Sequence, residues 1–127
     1  MYETIIVGAG IAGITASIYA SRKNMNYLVI SKNIGGQILE SGPIENYPGI
    51  VKTTGKEFHK NMQEQLDYNN VNVKNEEITE IKKIDQHYKI ITNKEEYKTK
   101  TIIICSGAHP RKLDVPGEEK YSGKGVT

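Results

Sequence analysis

Near the N-terminus, Gly8-Ala9-Gly10-Ile11-Ala12-Gly13 has the spacing G-x-G-x-x-G. Each glycine of that pattern has its own mechanical use. The first permits a tight turn, the second lets the backbone approach a pyrophosphate, and the third lets a helix lie close on a strand. A helix starting at such a turn offers free N–H groups and the positive end of its dipole, which together hold a diphosphate. The bare pattern is weak evidence, and its competing reading is a tight turn that binds nothing. Its weight comes from a strand before it and a helix after it.

A second chemical signal lies about 20 residues on. In dinucleotide folds the second strand ends in an acid that grips the adenosine ribose. Here that place holds Ser31, followed by Lys32. Serine hydrogen-bonds a ribose hydroxyl more weakly than a carboxylate does. A Ser-Lys pair is also suited to a 2′-phosphate, so the fingerprint alone leaves FAD, NAD and NADP open. The remaining reactive side chains read as structural. Cys105 closes an isoleucine run, where a cysteine is most often a small, buried, unreactive hydrophobe. His59, His87 and His109 have no partner at metal or triad spacing. Glu76-Glu77, Lys82-Lys83 and Lys94-Glu95-Glu96 read as solvated faces. No catalytic residue and no metal site is assigned.

The elements that must position the fingerprint are legible around it. Tyr2–Val7 is a β-branched run ending in glycine, a buried-strand pattern. From Ile11 to about Lys23, isoleucines and alanines recur at helical spacing, and Asn24 and Asn26 punctuate the end. Tyr27–Ser31 is a second buried strand. Strand, helix and strand within about 30 residues form a βαβ unit, which implies parallel pairing. Lys32–Thr54 holds Gly35, Gly36, Gly42, Pro43, Pro48 and Gly49, too many breakers for a regular element. Loops this long in a small domain are usually functional. Thr54–Asn69 reads as a helix with Phe58, Met62 and Leu66 on one face, and Val71–Val73 as a short strand. The spacing of Ile78, Ile81 and Ile84 fits a bent strand or a helical turn equally. His87–Thr92 and Glu96–Lys100 read as a hairpin around Asn93-Lys94-Glu95, with one wet face. Thr101–Cys105 is expected to be a fully buried strand.

Composition bounds the rest. With 127 residues the chain has room for one domain. It is 37% hydrophobic and 25% charged, and its apolar runs are far shorter than the ~20 residues a spanning helix needs. No secretory leader pattern is present, and a cytoplasmic protein is expected. The net charge of +2 is spread over interleaved lysines and acids, which argues against nucleic-acid binding. A single cysteine excludes an internal disulfide and an internal Cys-x-x-Cys pair.

The long loop chooses among the dinucleotides. Ile34-Gly35-Gly36-Gln37-Ile38 and Ile44-Glu45-Asn46-Tyr47-Pro48-Gly49 resemble the thioredoxin reductase family of FAD-dependent pyridine-nucleotide disulfide oxidoreductases. Ile102-Ile103-Ile104-Cys105-Ser106-Gly107-Ala108 is similar to that family's Ala-Thr-Gly-Ala stretch. Val115-Pro116-Gly117-Glu118 and Tyr121–Thr127 are similar to its Pro-Gly-Glu…Gly-x-Gly-Val-Ser stretch. The resemblance implies an α/β, Rossmann-like FAD-binding domain. Its parallel sheet is built from about Tyr2–Val7, Tyr27–Ser31, Val71–Val73 and Thr101–Cys105. Helices cover one face, and an antiparallel β-meander near residues 78–100 covers the other.

Residue by residue, the resemblance places Gly8, Ala9, Gly10, Ile11, Ala12 and Gly13 at the diphosphate and Ser31 at the ribose. It places Gly36, Gln37 and Asn46 toward the flavin, Ile78 where the backbone reads the adenine, and Gly107 where the chain passes close to the cofactor. Loop-stabilising amides are the competing reading for Gln37 and Asn46. Residues 1–115 then form the first segment of the FAD domain, incomplete at its C-terminus. Residues 116–127 form a crossover toward an NADPH-binding domain. The implied activity is that of a flavoprotein passing electrons from NADPH through FAD to a protein disulfide such as thioredoxin's, in a homodimer without a membrane partner. The alternatives are a non-catalytic nucleotide-binding module and an NAD(P) domain of a dehydrogenase, the latter supported only by Ser31-Lys32.

Overall fold

The fully apolar centre of Tyr2–Ala9 makes it the middle strand, β1, of a six-stranded sheet. A computed structural model describes residues 1–125. The chain continues through α1 (Ile11–Arg22), β2 (Tyr27–Ile34), a 3-10 turn (Gly36–Glu40), β3 (Pro43–Ile44), β4 (Thr53–Thr54) and α2 (Gly55–Tyr68). It ends through β5 (Val73–Asn75), β6 (Ile78–Ile84), β7 (His87–Thr92), β8 (Glu96–Ile104) and the short α3 (Glu118–Tyr121). The strand order is β5-β2-β1-β8-β7-β6. β1 pairs parallel with β2 and β8, and β2 pairs parallel with β5. The hairpin strands β6, β7 and β8 pair antiparallel.

The ambiguous isoleucine spacing over 78–84 resolves as strand, because Ile81 and Ile84 pair across β7 with Ile90 and His87. The helix expected over Thr54–Asn69 starts one residue later. Thr54 is its cap, its hydroxyl oxygen accepting from the Glu57 N–H at 3.3 Å. The parallel strand expected at Val71–Val73 lies at Val73–Asn75, with Val71 tied back to the helix end through Leu66 O.

Strand alternation sends side chains to two cores. On one face Ile6, Ala9 and Val29 meet Ile14 and Ala20 of α1 and Phe58, Met62 and Leu66 of α2. On the other, Ile5, Val7, Leu28 and Ile30 meet Ile90 and Tyr97 of the meander, with Ile78 beside them. Helices on one face and meander on the other is the layering the sequence predicts. The meander also belongs to the same hydrogen-bonded sheet, because β8 runs unbroken from the hairpin into the parallel region. Residues 96–99 of β8 pair with β7, and residues 99–104 pair with β1.

That continuity corrects the expected burial of Thr101–Cys105. Ile103 is 41% exposed and Ile104 68% exposed. Cys105 is half-buried rather than enclosed. Beyond Thr99 this stretch has β1 on one side and no pairing with β7 on the other. Among the described residues no helix is long and apolar enough to cross a membrane.

Candidate functional site

In an open α/β sheet, ligands bind outside the carboxyl ends of the strands, where the connections diverge in opposite directions. β1 is such a place: its helix leads to β2 on one side, while β8 returns on the other. A cavity of about 370 Å³ lies there. Its wall is Gly8–Ala12, Ser31, Asn33, Gly35–Ile38, Glu40 and the run Cys105–His109.

The three fingerprint glycines divide by what holds them. Gly8 has φ +97°, and a Cβ there would sit 2.2 Å from the Cys105 carbonyl oxygen. A Cβ on Gly13 would sit 1.9 Å from the Gly8 carbonyl oxygen. Both are demanded by the fold itself, one by the turn and one by the closeness of helix and strand. Gly10 is different. Its φ is −76°, and a Cβ there would meet nothing within 4 Å. No neighbour in the fold stands in the way of a side chain at this position.

Gly10 is also the N-cap of α1. It offers no side-chain acceptor, and the first turn holds no acid. The leading N–H groups of a helix have no partner within it. Ile11 and Ala12 of this first turn line the cavity, and a helix start of this kind is an electropositive end suited to a diphosphate.

Ser31 stands at the cavity, but its hydroxyl is already engaged. Its oxygen accepts from the Ala9 N–H at 3.1 Å, and its proton is donated to the Asn33 carbonyl at 2.6 Å. It can therefore accept from a ribose hydroxyl but has no proton left to give. The Gln37 amide donates to the Ala108 carbonyl, drawing the 3-10 turn across to the segment after β8. Gly36, at φ +58°, brings that turn against Gly10, where a Cβ would stand 3.4 Å from the Gly10 Cα.

Of the residues named from sequence, Gly8, Ala9, Gly10, Ile11, Ala12, Ser31, Gly36, Gln37 and Gly107 meet at one cavity. Gly13 lies beneath it as the helix–strand contact. Asn46 is exposed on the loop and does not line the wall, and Ile78 packs against the second core. The cavity adds Asn33, Gly35, Ile38, Glu40, Cys105, Ser106, Ala108 and His109. The carboxyl-end rule for parallel strands could have found the run from Cys105 to His109, because β8 must end beside β1.

Glu76 departs from the expected solvated face. It is 6% exposed. Its carboxylate accepts from the Thr92 hydroxyl at 2.7 Å and from the Tyr97 hydroxyl, 2.9 Å from each oxygen. The Thr92 hydrogen bond is the main cause holding the carboxyl below its ordinary value. Tyr97, Lys74 and Lys94 assist, and burial opposes. Burial pushes the Tyr97 phenol well up, and its bond to Glu76 adds to that. Glu77 is exposed, as expected, and pairs with Lys32 at 3.2 Å.

The model of the pyridine nucleotide-disulphide oxidoreductase family matches residues 2–127. The chain belongs to that family. It is 41% identical over 128 residues to a thioredoxin reductase of Treponema pallidum (strain Nichols), covering 99% of this chain and 42% of the relative. It is 38% identical over 130 residues to a thioredoxin reductase of Bacillus subtilis (strain 168), covering 100% of this chain and 40% of that protein. The crystal structure of Lactococcus lactis thioredoxin reductase (FR conformation) superposes with a TM-score of 0.87 at 40% identity, over 97% of this chain and 41% of that one. The chain thus spans about two fifths of the thioredoxin reductases it matches. Val126 and Thr127, which complete the Gly-x-Gly-Val-Ser-like stretch, lie outside the described residues.

Proposed function

We propose that this chain is the first segment of the FAD-binding domain of a thioredoxin-reductase-like flavoprotein, and that its cavity holds the adenosine-diphosphate half of FAD. The observation that carries this reading is the open space before Gly10 at the uncapped start of α1. The diphosphate would lie there, against the N–H groups of Ile11 and Ala12. Ser31 would accept from the ribose. Gly36 and Gly107 would let backbone pass close on either side. The fixed Gln37–Ala108 bond would hold the loop in place over the cofactor. A cavity of about 370 Å³ is at the small end of ligand sites, which run to roughly 1,000 Å³, and suits part of a dinucleotide rather than all of it.

In the whole protein a bound flavin would supply the electron transfer from NADPH toward a protein disulfide such as thioredoxin's. This segment's share is to bind, orient and tune. A soluble homodimer in the cytoplasm fits that role. The test is a calorimetric titration of the chain with FAD and with ADP, on wild type and Gly10→Val. Binding of both ligands by the wild type and loss of both in the variant is expected. A wild type that binds neither would sink the reading.

A further inference from the structure

We propose that His109 is the charge partner of the dinucleotide's diphosphate: once protonated, it adds a cation to a cradle that α1 otherwise builds from backbone alone, and it makes cofactor affinity depend on pH. This rests on the cofactor reading above and goes beyond it to a side chain that holds the ligand.

A diphosphate diester is a dianion at neutral pH, and arginine and lysine are the side chains that ordinarily meet phosphate. The cavity wall holds neither. Among the described residues on that wall, His109 is the one side chain able to carry a positive charge, and Glu40 is the one acid. Other cations close in sequence are engaged elsewhere. Lys32 pairs with Glu77 at 3.2 Å and Lys112 with Glu119 at 2.6 Å, and neither lines the wall. Arg111 is exposed and also off the wall. The start of α1 contributes only the partial charge of a helix end, about half an elementary charge.

The backbone that carries His109 is fastened to the site. The Cys105 N–H donates to the Val7 carbonyl at 2.8 Å, so the run after β8 starts in register with β1. Gly107 then turns the chain at φ +67°. The Ala108 carbonyl accepts from the Gln37 amide of the 3-10 turn, and that turn lies against Gly10 through Gly36. Pro110 follows His109, and a residue before proline is confined to extended backbone. The contacts from Gly10 through Gly36 and Gln37 to Ala108 therefore tie the backbone at His109 to the helix start. The side chain itself is exposed on the wall and has room to turn onto a ligand.

An imidazole ordinarily takes up a proton near pH 6.5, and a dianion beside it favours the charged form. Binding and protonation then reinforce one another. The other titratable groups on the wall are Glu40, on the 3-10 turn, and Cys105, at the start of the same run. Carboxyls ordinarily ionise near pH 4 and thiols near pH 8.5, on either side of the imidazole range. His59 of α2 touches Gly35 from behind the turn, off the wall, and serves as the control.

The test is isothermal titration with ADP-ribose, whose diphosphate takes up no proton between about pH 5.5 and 8, and with adenosine, which has no phosphate. Wild type, His109→Gln, His109→Lys and His59→Gln are compared, with circular dichroism checking that each is folded at both ends of the range. Wild-type affinity for ADP-ribose should rise about fivefold to tenfold from pH 8 to pH 5.5, the scale of one charge contact near a protein surface. Adenosine should show no such rise. His109→Gln should keep the weaker affinity at every pH, and His109→Lys should bind tightly across the whole range. His59→Gln should keep the wild-type slope. Wild type that binds ADP-ribose equally at all pH values, or a slope that survives in His109→Gln, overturns this inference and spares the cofactor reading. A wild type that binds no ADP-ribose at any pH overturns both.

Discussion

β1 and the C-terminal half of β8 lie side by side and carry nearly the same residues. Ile5 pairs with Ile102, Ile6 with Ile103 and Val7 with Ile104. Their fates differ. Ile5 and Ile6 are wholly buried, whereas Ile103 and Ile104 are 41% and 68% exposed. Chemistry and register do not separate them; neighbours do. β1 has a strand on each side, α1 over one face and Ile90 and Tyr97 toward the other. Among the described residues, the one strand that pairs with residues 101–104 of β8 is β1. A β-branched run records a capacity for burial, and the surrounding elements decide whether that capacity is used.

The comparison can be broken most directly by truncating the paired isoleucines. Ile6→Ala should cost about 3–4 kcal/mol, because the cavity it leaves is walled by helices and strands that cannot collapse into it. Ile103→Ala should cost under about 1 kcal/mol, since little burial is lost. Urea denaturation of both variants checks this, and equal losses would show β8 to be covered in solution.

A second contrast lies within the fingerprint. Gly13→Ala forces a methyl into the Gly8 carbonyl and should destabilise by about 2–3 kcal/mol. Gly10→Val fills open space and should cost about 1 kcal/mol or less, as a changed cap. Ligand binding should show the opposite order: FAD affinity abolished by Gly10→Val, and kept by whatever fraction of Gly13→Ala remains folded. Melting curves alongside titrations distinguish the two. A Gly10→Val chain that still binds FAD would show the open space to be incidental.

These pairs also mark what the sequence could convey. The six-residue fingerprint, β1, α1 and β2 were legible because local spacing and burial pointed the same way. The meander's place over the second core was legible only through family resemblance, since the isoleucines of 78–84 fit two periods. The exposure of Ile103 and Ile104 was not legible, because it depends on which strands flank β8. Glu76 and Glu77 are identical neighbours in the sequence. One is enclosed only because Thr92 and Tyr97 reach it from 16 and 21 residues away. For Ser31, position was readable but hydrogen-bond occupancy was not, because Asn33 and Ala9 claim the hydroxyl only in three dimensions.

Glu76 supplies the next test, stability across pH with and without its carboxylate. Its folded pKa is lowered from the ordinary 4.5, so the stability it contributes is fully present above that value and is lost as pH falls through the folded pKa. Stability measured from pH 6 down to pH 3 should therefore fall less steeply in Glu76→Gln than in wild type. Tyr97 has the reverse sign. Its raised pKa favours the neutral phenol, so its contribution holds below pH 10 and is lost above it. Indistinguishable acid slopes in wild type and Glu76→Gln would show that the enclosed carboxylate carries no acid-sensitive stability.

The smallest expected effect concerns Cys105, where the two strands end together. It is half-buried, it lies on the cavity wall, and the Gly13 position comes within van der Waals reach of its Cβ. Its strand neighbour Ile104 is open to solvent, so a thiol reagent has a path to it that full burial would deny. The native chain should therefore react with a thiol reagent more slowly than the unfolded chain but completely. FAD or ADP bound along Gly8–Ala12 would occupy the space through which the reagent reaches the sulfur, and should slow the reaction in proportion to the fraction bound. In Gly10→Val the nucleotide should give no protection, which separates shielding by ligand from general tightening of the fold. Labelling as fast as in the unfolded chain, with no protection by either nucleotide, would place Cys105 outside the ligand's reach.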